Sequence, residues 1–418
     1  MATWLIDSGT LTNIADAIRA KTGSSAPIQV SDLAQEITNL PSGGTTIIGS
    51  SEIDITAQND FVEGERINID LGIVDTAPTG PGAIIRSAAI NSAGTVLALA
   101  LNNSPYLAIY DLTTNPYTKL TNPATAPTAV CLGIDFSPDG TRLAVVQNAS
   151  PYIIIYDTTT IPYTKISDPG TLPPSNGLCC KWNNDGTILA VGHYLSPFIT
   201  LYDTTTTPYT KISNPSELPA GPVYSIDYNS DGSRMATMRN DTNHALKIYN
   251  TTSIPYTKVS DVNMSGSGRV VRYLSDTRIL TTQAYSPMIR LFDCTTDTLT
   301  EISGATKQYP IGEIYGIALN NDESKIYVSY TNSLNGSLYK YENDSITHVM
   351  QTETVQYDGT RFFNNKLIVS TTSSPYLKVL DLTKNRAYKY TNYNRRYGYA
   401  YAKENLLNGE DGKAMLLF

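Results

Sequence analysis

The sequence is poor in the residues that carry out chemistry. It holds three histidines and four cysteines in 418 residues, and charged side chains make up only 16% of it. The net charge is −8, so the basic stripe of a nucleic-acid binder is missing. No apolar run approaches the roughly 18 residues that a membrane-crossing helix needs. The opening, MATWLIDSGT, lacks the basic and apolar regions of a secretory signal, and folding in a cytoplasm is expected. Cys131, Cys179, Cys180 and Cys294 show neither metal-ligand spacing nor a disulfide framework. Three of them fall in predicted strands, where a thiol acts as a small hydrophobe. There is no G-x-S-x-G elbow, no H-E-x-x-H zinc helix and no G-x-x-x-x-G-K-[ST] phosphate loop. No metal, no cofactor and no catalytic residue is expected.

What the chain has instead is tyrosine, 29 of them against 7 Phe and 2 Trp, set among Thr, Ser and Asn. That is the composition of strands joined by polar turns. The stretch SPYLAIYDLTTNPYTKL at 104–120 returns 46 residues later as SPYIIIYDTTTIPYTKI and again as SPFITLYDTTTTPYTKI. Its Tyr-Asp pair recurs at Tyr110-Asp111, Tyr156-Asp157 and Tyr202-Asp203, then as Tyr249-Asn250, Phe292-Asp293, Tyr341-Glu342 and Leu380-Asp381. A turn signal of the AGT, DGT or DGS kind precedes most copies. In the second copy four short runs stand out: CLGIDF, TRLAVVQ, YIIIYD and YTKIS. A period of about 40–50 residues with four strands per unit is that of propeller blades, each covering its neighbour's open face. The expected fold is all-β: a seven-bladed propeller of four-stranded blades over 85–391.

Most repeated residues read as scaffold. Asp111, Asp157, Asp203, Asp293 and Asp381 end a strand before a Thr-rich turn, where a carboxylate bonds amides two residues on. Pro116, Pro162, Pro208 and Pro255 open the outer strand, where proline costs little. Lys119, Lys165, Lys211 and Lys258 then put charge on an exposed edge and discourage edge pairing.

The ends differ in kind. In TLTNIADAIRAKTG, Leu11, Ile14 and Ile18 form an amphipathic stripe, and DLAQEITNL repeats it with Leu33, Ile37 and Leu40. Two such helices bury little alone and need a partner, either copies of themselves or another protein. Residues 1–41 are therefore expected to be an attachment or oligomerisation module. A linker with a short β segment follows at 42–84, and a β tail occupies 392–418. The stretch LTNIADAIRAKTGSSAPIQVSDLAQEITNL resembles a helical module near the start of bacteriophage tail-fibre and baseplate-associated proteins, notably of phages infecting Gram-positive hosts. The match covers about thirty residues. It implies a virion protein, attached to other tail or baseplate proteins through its N-terminal helices, with its distal part contacting the host. The propeller resembles the YncE-like and WD40-like superfamily in architecture, without the Gly-His and Trp-Asp dipeptides of true WD40 repeats. That likeness carries no function.

Candidate ligand-binding residues follow from the Ser-Pro-aromatic corners between second and third strands. Tyr106, Tyr152, Phe198 and Tyr376 hold equivalent positions, with Met288 and His244 in their place elsewhere. Aromatic faces beside Asn and Ser suit a sugar. The other role is to wedge between blades, and the presence of the aromatic in most blades favours it. His193 is expected on a solvated loop near the same face. The functional expectation is binding of a host surface polysaccharide or teichoic acid by a homotrimer, without enzymatic activity. A propeller glycosidase or lactonase, and a purely structural virion protein, are the alternatives.

Overall fold

Each copy of the repeat folds into one antiparallel sheet. In the second copy Cys131–Phe136 is the inner strand, Arg142–Gln147 and Ile153–Asp157 are the middle pair, and Thr164–Lys165 is the outer one. Five further four-stranded sheets follow the same order, with inner strands Ile85–Ile90, Gly177–Trp182, Val223–Tyr228, Gly268–Ser275 and Ile314–Leu319. Successive inner strands lie side by side, and that of the seventh, Arg361–Phe363, touches both the sixth and the first. The ring is closed: the fold is an all-β, seven-bladed propeller.

The computed structural model describes residues 51–57, 66–73, 80–240, 245–264, 266–284, 288–302, 314–320, 323–330, 336–352, 359–363, 366–370, 376–389, 398–402 and 411–416. The chain divides into Met1–Gly49 and Ser50–Phe418, and every described residue belongs to the second unit. The two expected helices, with Leu11, Ile14, Ile18, Leu33, Ile37 and Leu40, lie outside the described residues, as does His244.

Burial follows from the stacking. Along Ile153–Asp157 the first four residues are all buried, and along Arg142–Gln147 the last five are. Middle strands are covered on both faces by adjacent blades, so their apolar runs are continuous rather than alternating. The core is accordingly a set of interblade layers. Ala98, Ala100 and Ile109 of blade one pack with Ile134, Phe136 and Tyr156 of blade two, and the pattern repeats around the ring. Tyr110, Tyr156, Tyr202 and Tyr249 are fully buried. The Tyr156 and Tyr202 hydroxyls donate to the carbonyls of Thr125 and Thr171, each at 2.9 Å, in the connection that enters their own blade. The repeated tyrosine thus holds blade to connection. The turn carboxylates behave as expected: Asp111, Asp157, Asp203 and Asp293 accept the amides of Thr113, Thr159, Thr205 and Thr295 at 2.7–2.9 Å. The hydroxyls and amides of those threonines hold Asp157, Asp203 and Asp293 below the usual carboxylate range.

The seventh blade is assembled differently. Arg361–Phe363, Lys366–Ser370 and Leu377–Lys389 supply three strands, and the fourth is Arg66–Ile73, from before the first blade. Gly72 and Ile73 pair with Asp381 and Leu380. Leu377–Lys389 then runs on past the blade. Its end pairs with Ile67–Asp70 on one side and, in parallel, with the end of Ser51–Ala57 on the other. Gly398–Ala402 and Asp411–Leu416 complete the circuit, so five strands pair into a small closed barrel. Its register sets Ile53 opposite Ala414, Ile67 opposite Ala400 and Ile69 opposite Ala387. Strand pairing therefore crosses the boundary expected for the ring at 85, and the strands after 391 pair with those before it.

Candidate functional site

Two surfaces qualify, and one irregularity builds the first of them. In blades one to six the inner strand shifts register near its start, between residues 131 and 133 in blade two and at the matching places elsewhere. A bulge leaves one residue unpaired and breaks the alternation of faces. In blade two the half-exposed residues become Leu132 and Asp135, three apart instead of two. Both positions line a cavity of about 680 Å3 on the ring axis, to which all seven inner strands contribute.

The second of these positions reads, from blade one to seven, Ala89, Asp135, Lys181, Asp227, Arg272, Ala318 and Arg361. Arg86 and Arg269 occupy the bulged position in blades one and five. Among the described lining residues, five are basic and two acidic. The two carboxylates serve the scaffold. Asp135 accepts the Trp182 amide at 3.0 Å and lies 3.6 Å from Lys181, and Asp227 accepts the Tyr273 amide at 2.8 Å. Each ties its blade to the next. Arg272 donates from Nη1 to the Val271 carbonyl at 2.8 Å and to Ser225 Oγ at 3.2 Å. Arg361 donates to the Thr360 carbonyl at 2.7 Å.

The other surface is the rim. Loops between second and third strands share a face with the interblade connections: Asn148 donates to the Val130 carbonyl at 3.0 Å, and Leu195 to Ser175 Oγ at 2.8 Å. On it sit the corner aromatics, all half-buried: Tyr106, Tyr152, Phe198 and Tyr376. They share a left-handed backbone, φ 63–67°, an uncommon conformation for an aromatic residue. In three of them the amide closes a tight turn onto a carbonyl three residues back, as Tyr106 does on Asn103 at 2.8 Å. One side of the ring packs on an interblade layer: Tyr106 between blades one and two, Phe198 between three and four, with Met288 between five and six. The structure thus places these residues around the rim, one per blade, and does not gather them into one pocket. Among the described residues of this face, the large apolar side chains most exposed are Tyr194 and Leu195, 53% and 54%, on the loop of blade three.

His193 corrects an expectation. It ends the second strand of blade three and is 0% exposed, not solvated on a loop. Nδ1 lies 2.8 Å from the Leu195 carbonyl and Nε2 2.9 Å from Thr200 Oγ1, a pattern that a neutral ring satisfies by donating to the first and accepting from the second. Burial lowers its pKa to about 4. Gln147 and Gln283 hold the same place in blades two and five, where they accept the amides of Thr128 and Gly266 from the incoming connections. This row is structural polar packing that braces the rim loops. Cys131, Cys180 and Cys294 are buried free thiols, and no metal-ligating cluster occurs among the described residues.

The channel cations went unrecognised in the sequence because the bulge hides them from a two-residue period. The signal was there: IDF, CKW, IDY and VRY occupy one place in four copies and change charge at one residue.

No family model matches the chain, and no curated protein matches it in sequence. Solved structures do match. Hydrazine synthase of Kuenenia stuttgartiensis aligns with a TM-score of 0.57 and 13% identity over 74% of this chain and 97% of that one. The β-propeller domain of Myceliophteria thermophila Cps50 (Swd1) aligns at 0.56 and 14%, over 75% and 99%. A chain of the mitotic checkpoint complex aligns at 0.56 and 16%, over 75% and 98%. At such identities the likeness is one of fold, and these proteins share no activity by name. The chain is similar to WD40-like propellers in architecture.

Proposed function

We propose that this chain is a non-catalytic attachment protein of the bacteriophage tail-fibre or baseplate type, whose propeller binds a glycan on a host cell surface. The observation that carries the binding part is the division of labour within the repeat. Strands and turns are near copies, whereas the rim loops read NNSPY, NASPY, YLSPF, NDTNH, AYSPM and TSSPY. Variation on a rigid frame makes a specific surface. Exposed Tyr194 and the half-exposed Tyr106, Tyr152, Phe198 and Tyr376 supply ring faces, and neighbouring Asn and Ser supply donors, the combination sugars use.

The virion part rests on the resemblance of residues 11–40. In this reading 1–41 joins the propeller to other tail or baseplate proteins and assembles a homotrimer, and three weak sites then act together. The test is binding of labelled protein to envelopes of candidate Gram-positive hosts, comparing the full chain with one beginning at Ser50 and assaying released sugar. Binding by both, with no sugar released, is the expected result. Released sugar would replace the reading by an envelope-degrading enzyme, and no binding to any envelope would leave a purely structural virion role.

A further inference from the structure

The cavity on the ring axis has a character the rim does not. Five cationic side chains converge on it from four blades, in a chain whose net charge is −8. Arg86, Arg269, Arg272 and Arg361 come from blades one, five and seven, and blade six between them offers only the small Ala318 at the matching position. On the opposite wall Lys181 lies beside Asp135. Asp227 of blade four follows on that side, so the cavity is polarised, with arginine on one wall and Lys181 with two carboxylates on the other.

We propose that this cavity is a binding site for a phosphate-bearing anion. Five cations against two carboxylates among the described lining residues give the cavity a net positive charge, which attracts an oxyanion. Guanidinium suits such a ligand, being planar, permanently charged and able to match two phosphate oxygens at once. It carries five N–H donors, so Arg272 can keep its bonds to Val271 and Ser225 while it meets a ligand oxygen. Those internal bonds fix the guanidinium plane beforehand, which lowers the ordering cost of binding. A volume of about 680 Å3 accepts a phosphorylated sugar or polyol, within the range of about 300–1,000 Å3 common for ligand pockets. The site goes beyond the rim reading and does not depend on it.

The repeat itself suggests the least disruptive test. Ala89 occupies the place that Asp135 and Asp227 fill in other blades, so Ala89→Glu puts a carboxylate into the cavity at a position the frame already accepts. Calorimetric titration of the full chain with inorganic tripolyphosphate, with glycerol 1-phosphate and with glucose, at low and at moderate salt, reads the site. The expected result is saturable binding of at least one phosphate probe and none of glucose. Ala89→Glu and Arg361→Gln should each weaken it about 10- to 100-fold, with unchanged melting temperature. Tighter binding of tripolyphosphate would point to a free polyphosphate, and tighter glycerol 1-phosphate to a polymer end. If neither phosphate probe binds, or if Ala89→Glu binds as well as the parent, the site is refuted. Weakening matched by Lys119→Gln, on the outer edge, would also refute it. Should Arg361→Gln lower the melting temperature, Ala89→Glu and Ala318→Glu decide the question without it.

Discussion

Blade two and blade seven reach the same four-stranded sheet from different material. Blade two takes its strands from Cys131 to Lys165 without interruption, each hairpin closing on its neighbour in sequence. Blade seven takes three strands from one end of the chain and its outer strand, Arg66–Ile73, from the other. The first needs only local pairing. The second pairs residues more than 300 apart, for which a large loop must close before any contact is gained. Their sequences differ to match: the motif tyrosine of blade two is Leu380 in blade seven, and NRAYK at 385–389 follows it without the proline that opens the outer strand of blade two. The seventh is the blade whose sheet is completed by the other end of the chain rather than by a copied hairpin. Tight packing marks the same joint, since a Cβ on Gly359 would lie 2.6 Å from Ile85 Cγ2 of blade one.

The largest effect expected comes from removing the borrowed strand. A chain beginning at Gly80 lacks the outer strand of blade seven and two strands of the barrel, and should lose its cooperative melt by circular dichroism. A chain beginning at Ser50 should keep that melt. Equal melting of the two would show that the ring closes without Arg66–Ile73.

Within the regular blades, Tyr156→Ala should cost about 3–5 kcal/mol by denaturant titration, as expected for a large buried ring. Tyr156→Phe keeps the ring and loses only the bond to the Thr125 carbonyl, a cost of about 1 kcal/mol. If Phe proves as costly as Ala, the hydroxyl rather than the packing holds the blade.

His193 gives the middle-sized effect, and it depends on pH. Its folded pKa of about 4 lies below the ordinary value of 6.5, so the unfolded chain takes up the proton first. Its contribution is present above 6.5 and is lost progressively as pH falls toward 4, up to about 3 kcal/mol. His193→Gln, which copies Gln147 of the previous blade, should flatten the difference in urea midpoint between pH 7.5 and 4.5. An unchanged pH profile would place the acid sensitivity elsewhere.

The smallest effect concerns a turn where blade six departs from blades one to four. Gly94, Gly140, Gly186 and Gly232 adopt φ 67–74°, whereas Glu323 holds the matching place at φ 57°. A side chain there is strained and burial raises its carboxyl pKa, so Glu323→Gly should stabilise by about 0.5–1 kcal/mol. A lower melting temperature would mean that Glu323 makes a compensating contact.

Fold and site were legible to different degrees. The Asx turns could be read outright, because Asp157 and Thr159 satisfy each other within three residues. The DGT and DGS turns were legible as turns for the same reason. The rim aromatics could be placed but not assigned, since Tyr106 and Phe198 each give one side to an interblade layer and leave the rest at the surface. His193 was misread because the strand continues one residue further than its loop-like neighbours suggest, and its two hydrogen bonds offset the cost of burying the ring.

By itself the sequence determined the repeat, the four strands of the first six copies and the number of blades, because each is a matter of residues within about 46 positions of one another. Turn chemistry and apolar runs act at that range. Only the tertiary structure decided which strand completes the seventh blade, that the two flanks pair into a closed barrel, and that cations from four blades meet at the ring axis. Those outcomes depend on residues brought together by closure of the ring, and on a bulge that shifts the facing residues by one. No local pattern encodes a distance across a closed circle.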